Sequence, residues 1–160
     1  MSSRRLLVAA GLVWLAPGRL LFQRRGAKAA HGAEMLEFPG GKVEPGEAPA
    51  AALARELVEE WGPAADVLRV GPIAEVLHHD YAPPGPEVVL VLYHVDGRGL
   101  AARGPWERAL TPEEGVCLHE AAAAELPVAA FLEADRVFCA RLRSGEVASP
   151  WPERPQTPEE

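Results

Sequence analysis

The stretch from Leu36 to Gly62, LEFPGGKVEPGEAPAAALARELVEEWG, constrains the fold more than any other part of the chain. It places three carboxylates, Glu56, Glu59 and Glu60, within five residues of one another behind a glycine-rich turn. Like charges this close repel one another, so something in the fold must compensate for them. Pro49 suits the first turn of a helix, where the N–H that proline lacks would have no partner. The stretch therefore predicts a turn followed by a helix over about 49–61.

This helix is amphipathic. At about 100° per residue, one broad face collects the apolar side chains of Ala50, Leu53, Ala54, Leu57, Val58 and Trp61. The opposite side carries the three glutamates within roughly 100° of one another, with Arg55 at its margin. Gly62 ends the helix. The pattern predicts that one side packs into a core and that the acidic side stays free for another purpose.

Two interpretations of the acidic side remain open. Such a face is often simply the solvated side of an amphipathic helix. A divalent cation is the alternative, because Glu59 and Glu60 lie in the last helical turn, where the helix dipole favours positive charge. Mg²⁺ prefers oxygen ligands, keeps several waters and shares its shell with substrate phosphates. Carboxylates spaced i, i+3 and i+4 reach one side of a helix for that purpose.

The spacing within this stretch resembles the Nudix box, the signature of hydrolases that cleave nucleoside diphosphates linked to another group. The matching positions are Gly41, five residues, Glu47, seven residues, Arg55-Glu56-Leu57, one residue, Glu59-Glu60, one residue and Gly62. The preceding LEFPGGK resembles the MutT-like branch, whose members hydrolyse nucleoside triphosphates, often damaged or non-standard ones. The resemblance covers most of residues 5–143. Pro63 departs from it, since the box ends in an aliphatic residue, and predicts a local change in the loop.

The resemblance implies roles for the box residues. Glu56, Glu59 and Glu60 would bind Mg²⁺, or Mn²⁺ as a substitute, together with a backbone carbonyl of the turn formed by Gly40 and Gly41. The remaining box positions would support them: Arg55 would orient the carboxylates through charge-assisted hydrogen bonds, Glu47 would brace the loop against the helix, and Gly62 would close it. Family members differ over the base that activates water, so Glu56 and a loop acid, Glu113 or Glu114 in TPEEGV, both remain candidates.

The resemblance also implies a set of substrate contacts. Arg25 matches an arginine that grips phosphate, His31 lies close to a histidine of the corresponding loop, and Lys42 beside the glycine turn is a further phosphate candidate. Tyr81 is a candidate for stacking on the base. Asp135 falls where MutT-like proteins carry Asn or Asp to read the base, although Asp is also a good helix cap.

The chemistry of Asp135 bears on substrate choice. An ionised carboxylate only accepts hydrogen bonds, which favours a base with an exocyclic amino group, such as cytosine or adenine. Asn can donate and accept at once, which suits a guanine edge. The prediction of an amino-bearing base therefore fails if Asp135 is protonated in its pocket.

Two other functions remain as alternatives. Hydrolases of dinucleoside polyphosphates carry a tyrosine some way after the box, and Tyr81 lies in that region. A Nudix-fold module that binds a nucleotide without hydrolysing it is the other alternative. Such modules usually lose acids of the box, whereas this sequence keeps them. Release of phosphate or pyrophosphate in the presence of Mg²⁺ separates these functions.

The rest of the chain predicts an α+β fold, a sheet sandwiched by helices. Strands are expected at about 5–15, 19–25, 66–80 and 87–95, with short ones ending at Phe38 and in GVCLHE. A second helix is expected in EADRVFCARLRSG, closed by Gly145. By resemblance this is the Nudix α/β/α sandwich with a mixed central sheet, a single domain over 1–145. Residues 146–160 are rich in proline and acidic residues and are expected to be disordered.

Composition limits the partners and the compartment. The formal net charge of −7 argues against binding of nucleic-acid polymers, which depends on basic patches. Two cysteines without metal-ligand spacing fit a reducing cytoplasm. Arg4 and Arg5 before LLVAAGLVWLA imitate a secretory signal, but a buried strand paired with RLLFQRR across a turn explains the run better. That run is too short to span a bilayer. The sequence does not decide between a monomer and a homodimer.

Overall fold

The computed structural model describes residues 4–29 and 32–153. His31 lies outside the described residues. The described part of the chain forms one seven-stranded sheet. Its strands are β1 Arg5–Ala16, β2 Arg19–Arg24, β3 Leu36–Glu37, β4 Gly40–Lys42, β5 Arg69–Asp80, β6 Glu87–Asp96 and β7 Cys117–Ala122.

Two long helices accompany the sheet, and the first of them has the bounds that the sequence predicts. These helices are α1 Pro49–Trp61 and α4 Glu133–Ser144, with the short helices α2 Arg98–Ala101 and α3 Trp106–Ala109 between them. The two short helices were not predicted, since each has only four residues and too little periodicity to be recognised. Pro63 begins a 3₁₀ turn, Pro63–Val67, which includes the first residues assigned from sequence to β5.

Strand β1 is the centre of the sheet. It pairs in parallel with β6, from the pair Arg5 and Glu87 to the pair Trp14 and Asp96. It also pairs antiparallel with β2 and with β4, so the sheet is mixed, as predicted. Gly18, with φ of 75°, makes the tight turn from β1 into β2. The N-terminal apolar run is therefore a buried strand of the hairpin that its sequence predicts.

The two faces of β1 enter two different cores, because successive side chains of a strand point to opposite sides. Ala10, Leu12 and Trp14 pack on one side, which α4 covers with Phe138, Cys139 and Leu142. Ala9, Val13 and Leu15 pack on the other side, which α1 covers with Leu53, Leu57 and Trp61. The predicted α/β/α sandwich is confirmed. None of the helices in the described ranges is long and apolar enough to cross a membrane.

The C-terminal segment was expected to be disordered, but its described part, residues 146–153, packs against the rest of the fold. Val147 and Trp151 pack against the core on the α4 side. The Trp151 ring lies so close to Gly71 of β5 that a Cβ there would meet its Cζ2 at 2.5 Å. Arg98 Nη1 donates a hydrogen bond to the Pro152 carbonyl at 2.8 Å. One aromatic side chain buries enough surface to hold a segment that its proline content suggested was disordered.

We expect Trp151→Ala to lower the free energy of unfolding by roughly 2 kcal/mol, because a half-buried ring leaves the core. Val137→Ala is the matched control on α4, since Val137 is 76% exposed. That change should alter stability by less than about 0.5 kcal/mol. Urea unfolding measures both. Equal effects of the two substitutions would contradict the packing of the C-terminal segment.

Candidate active site

Two cavities meet beside the glycine turn. The first has a volume of about 710 Å³ and an apolar wall formed by β1, β6 and the turn after β5. Its lining includes most of the residues predicted to contact substrate or to form the glycine turn: Arg25, Gly40, Gly41, Lys42, Tyr81 and Asp135. The fold thus brings together residues that are distant in sequence, as predicted, except for His31, whose position is not described.

The second cavity, of about 630 Å³, is more polar. The loop before β7 contributes Glu113 and Glu114, and the segment after β2 contributes Lys28. Both cavities are lined by Arg25, Glu37 and Glu60, which form the wall between them. We call these three residues the shared wall. One guanidinium and two carboxylates therefore stand where the two cavities join.

Glu60 is the most perturbed carboxylate of the shared wall. Burial, and then the negative charges of Glu37 and Glu56, raise its pKa to about 8. Hydrogen bonds from the Gln23 side chain and the Gly40 backbone act in the opposite direction. Its Oε2 atom is buried and has no hydrogen-bond partner. A buried carboxylate oxygen without a partner is unfavourable and is suited to bind a cation.

Glu56 lies against the glycine turn. A Cβ at Gly41 would meet the Glu56 carboxylate at 2.5 to 2.8 Å, so a larger residue there would displace that carboxylate. Burial is the largest cause of a raised pKa of Glu56, opposed by Arg55 and assisted by the charges of Glu59 and Glu113. The loop acid Glu113 is thus near Glu56. Its backbone N–H also donates to the Glu60 carbonyl at 2.8 Å, which fixes the loop to the end of α1.

Arg55 organises the outer part of the site. It makes a two-point contact with Glu47, from Nε to Oε2 at 2.8 Å and from Nη2 to Oε1 at 2.9 Å. These hydrogen bonds lower the pKa of Glu47 to about 2. Arg55 Nη1 donates to Glu56 at 3.0 Å and to Glu59 at 3.2 Å. The geometry matches the roles predicted for Arg55 as an orienting residue and for Glu47 as a brace between loop and helix.

The three helix glutamates do not converge on one point. Glu59 is exposed and points outward, Glu56 faces the glycine turn, and Glu60 enters the shared wall. Within the described ranges, no group of three or more His, Cys, Asp or Glu side chains is arranged to hold a metal ion. The single acidic face drawn from the helical wheel is therefore too simple. The unpartnered Oε2 of Glu60 and the Glu56 carboxylate beside Gly41 nevertheless fit a divalent cation, since both offer oxygen ligands.

Sequence reasoning missed Glu37 and Gln23. Gln23 is 2% exposed and donates through Nε2 to Glu37 Oε1 at 3.0 Å. Arg25 Nη1 donates to the other oxygen of Glu37 at 3.4 Å. Burial raises the pKa of Glu37, while Gln23 and Arg25 oppose the rise. The available signal was that Glu37 stands between two apolar residues, Leu36 and Phe38. Successive side chains of a strand point to opposite sides, so Glu37 points away from the core that its neighbours enter.

Asp135 is not a helix cap. The N-cap of α4 is Leu132, and no side chain caps this end. The Asp135 side chain is buried, being 6% exposed, and lines the first cavity. Burial and the charge of Glu37 raise its pKa to about 7, against the opposing effect of Arg25. Burial therefore favours the protonated form of Asp135, which is the condition under which the prediction of an amino-bearing base fails.

Comparison with known proteins agrees with this geometry. The NUDIX domain model matches residues 5–139. The chain is 32% identical over 117 residues to an 8-oxo-dGTP diphosphatase of Proteus vulgaris, which covers 73% of this chain and 92% of that protein. It is 46% identical over 59 residues to the 8-oxo-dGTP diphosphatase of Escherichia coli K12. That match covers 37% of this chain and spans less than half of the relative, 45% of its length.

Solved structures share the fold. A MutT protein from Methanosarcina mazei Go1 superposes with a TM-score of 0.67 at 19% identity, covering 91% of this chain and 98% of the other. A MutT Nudix hydrolase from Burkholderia pseudomallei gives a TM-score of 0.65 at 23% identity, with 86% and 97% covered. The family model spans most of the chain, and two of the box residues, Gly41 and Glu60, line the first cavity. The chain therefore belongs to the Nudix family, in its MutT-like branch.

Proposed function

We propose that the protein hydrolyses a nucleoside triphosphate to the monophosphate and pyrophosphate with Mg²⁺. The observation that carries the proposal is the shared wall, which joins an apolar cavity sized for a nucleoside to a polar cavity flanked by loop acids. The relatives named 8-oxo-dGTP diphosphatase are consistent with this substrate class. The substrate is a free nucleotide, and the net charge of −7 speaks against a nucleic-acid polymer.

Nudix proteins generally use a divalent metal. We assign the metal ligands to Glu56, Glu59 and Glu60 with the Gly41 carbonyl, and Glu60 is the best supported, because its Oε2 has no protein partner. Mg²⁺, when bound, supplies positive charge at the phosphate oxygens; Mn²⁺ would substitute for it. The protein must meanwhile offset the repulsion between these carboxylates, which Arg55 does for Glu56 and Glu59 by donating to both from Nη1.

Arg25 and Lys42 are the proposed phosphate contacts. Both line the first cavity, and Arg25 also lines the second, so its guanidinium can reach a phosphate chain that passes along the shared wall. A guanidinium binds phosphate oxygens in a two-point geometry, whereas an ammonium acts as a point charge. Arg25 is therefore the stronger candidate for orienting the triphosphate.

Water activation is assigned to Glu56 or to the loop acids. Glu113 is close enough for its charge to raise the pKa of Glu56, and its loop is tied to the end of α1. A carboxyl whose pKa is raised accepts a proton more readily than an ordinary one. Glu114 lines the second cavity beside Glu113 and is the remaining candidate.

The protonation of Asp135 sets the preference for the base. When ionised it only accepts hydrogen bonds, which favours the amino groups of cytosine or adenine. When protonated it donates as well, which suits the guanine edge of an oxidised substrate. With a pKa of about 7, both forms are populated near neutral pH. We propose that acidic conditions favour guanine-type substrates and alkaline conditions favour amino-bearing ones.

Dinucleoside polyphosphates are a second candidate, because Tyr81 lines the first cavity and the negative charge of Asp135 contributes to its raised pKa. A second base could stack on that ring. The third candidate function is a module that binds a nucleotide without hydrolysing it.

We place the activity in the cytoplasm, which the free thiols of Cys117 and Cys139 support.

We expect Glu60→Gln to reduce kcat by about 100-fold or more with little loss of stability, because the site loses a charged ligand while a buried charge is removed. Glu59→Gln should also reduce kcat strongly. Glu107→Gln, at an exposed position on α3, is the matched control and should leave the rate unchanged.

The assay measures pyrophosphate and phosphate release with Mg²⁺ or chelator. It compares canonical and oxidised nucleoside triphosphates with diadenosine tetraphosphate. Near-normal Mg²⁺-dependent rates in Glu60→Gln would contradict the assignment. Absence of turnover on every compound would favour the binding module.

We expect Asp135→Asn to gain stability over the wild type as pH rises. The folded pKa of about 7 lies above the ordinary aspartate pKa of 3.8, so between these values the folded state holds a proton that the unfolded chain has lost. Wild-type stability therefore falls from about pH 4 to pH 7. Between pH 5 and pH 8.5, the difference in unfolding free energy should shift on the order of 3 kcal/mol in favour of Asn. Urea unfolding at the two pH values measures it, and a difference independent of pH would contradict the raised pKa.

A further inference from the structure

A buried hydrogen-bonded chain runs behind the shared wall. Trp61 is fully buried at the end of α1, and its Nε1 donates to Gln23 Oε1 at 2.7 Å. Gln23 Nε2 then donates to Glu37 Oε1 at 3.0 Å, and the Gln23 side chain lies close enough to Glu60 to oppose the rise of its pKa. This series of contacts thus begins in the core under α1 and ends at Glu37 and Glu60, the two carboxylates that divide the cavities.

Trp61 decides which way the Gln23 amide points. The indole nitrogen is only a donor, and an ionised carboxylate is only an acceptor. With Oε1 toward Trp61, both hydrogens of the amide nitrogen face the acids. A flipped amide would set N–H against N–H at one end and a carbonyl oxygen against carboxylate oxygens at the other. Burial makes such mismatches expensive, so a single orientation is stable.

We propose that Gln23, held by Trp61, is a positioning residue for Glu37 and Glu60. It is a neutral group that donates to Glu37 and lies beside Glu60, and so it holds both acids in the wall without neutralising either. Glu60 keeps an oxygen, Oε2, that has no other partner and is free for a cation. The inference rests on the proposed function, since it concerns how the site presents its carboxylates.

A purely structural role for the same contacts makes a different prediction. Elsewhere in the fold, Trp14 Nε1 donates to His94 Nδ1 at 3.0 Å, also in the core. Trp14 lines neither cavity. Trp14→Phe therefore removes the same kind of buried hydrogen bond as Trp61→Phe and is the matched control.

The test compares Gln23→Met, Trp61→Phe and Trp14→Phe. Methionine keeps the length of glutamine without its hydrogen bonds. We expect Gln23→Met and Trp61→Phe to weaken the affinity for Mn²⁺, measured by calorimetry, about tenfold or more relative to the wild type. Their kcat for triphosphate should fall by a similar factor. Trp14→Phe should match Trp61→Phe in loss of Tm while staying within about twofold of the wild type in both other readouts. The double variant Gln23→Met with Trp61→Phe should be no worse than Gln23→Met.

The inference is overturned if Gln23→Met binds Mn²⁺ as tightly as the wild type, or if Trp14→Phe loses as much affinity as Trp61→Phe. NMR separates it from the proposed function. The Gln23 amide protons and the Trp61 indole proton should exchange slowly, and Glu37→Gln and Trp61→Phe should each shift the Gln23 pair. Those signals test the positioning even in a protein that hydrolyses no nucleotide. An unshifted Gln23 pair in Trp61→Phe would refute it.

Discussion

The repulsion among buried carboxylates is the constraint on which the site depends. Glu37, Glu60 and Asp135 face the first cavity with Arg25 as their charged neighbour. Each acid has a pKa above its ordinary value, because burial disfavours its ionised form, and for Glu60 and Asp135 the neighbouring acids add to the effect. A core of this size would normally exclude a group of three acidic side chains. The fold supplies Glu37 with donors from Gln23 and Arg25, whereas Glu60 Oε2 has no hydrogen-bond partner.

The rigid frame behind the acids makes this arrangement possible. Strand β1 carries β4 on one edge and runs parallel to β6, so the glycine turn and the wall of the first cavity are fixed to the same strand. Helix α1 then packs on β1 with Trp61 in the core. Its last turn cannot move without disturbing that core. The charged site is therefore built on elements whose positions are set by apolar packing, and its geometry does not depend on the charges alone.

Local signals in the sequence predicted the parts of the fold that local chemistry decides. Pro49 and Gly62 predicted the ends of α1, and the continuous apolar run of β1 predicted a buried strand. The wheel of α1 could not predict that Glu59 and Glu60 diverge, because side-chain direction depends on what surrounds each residue. Trp151 was missed for a similar reason, since its partner Gly71 is distant in sequence. The protonation of Asp135 depends on burial and on Glu37, neither of which its own segment reveals.

The central claim is that a doubly charged cation completes this set of acids, and Glu60 Oε2 is where it is needed most. Crystals soaked in Mn²⁺ and measured at the manganese absorption edge test it most directly. The account predicts an anomalous peak bonded to Glu60, with Glu56 or the Gly41 carbonyl in the same shell. A map without that peak, in which Glu60 Oε2 still has no partner, would contradict it.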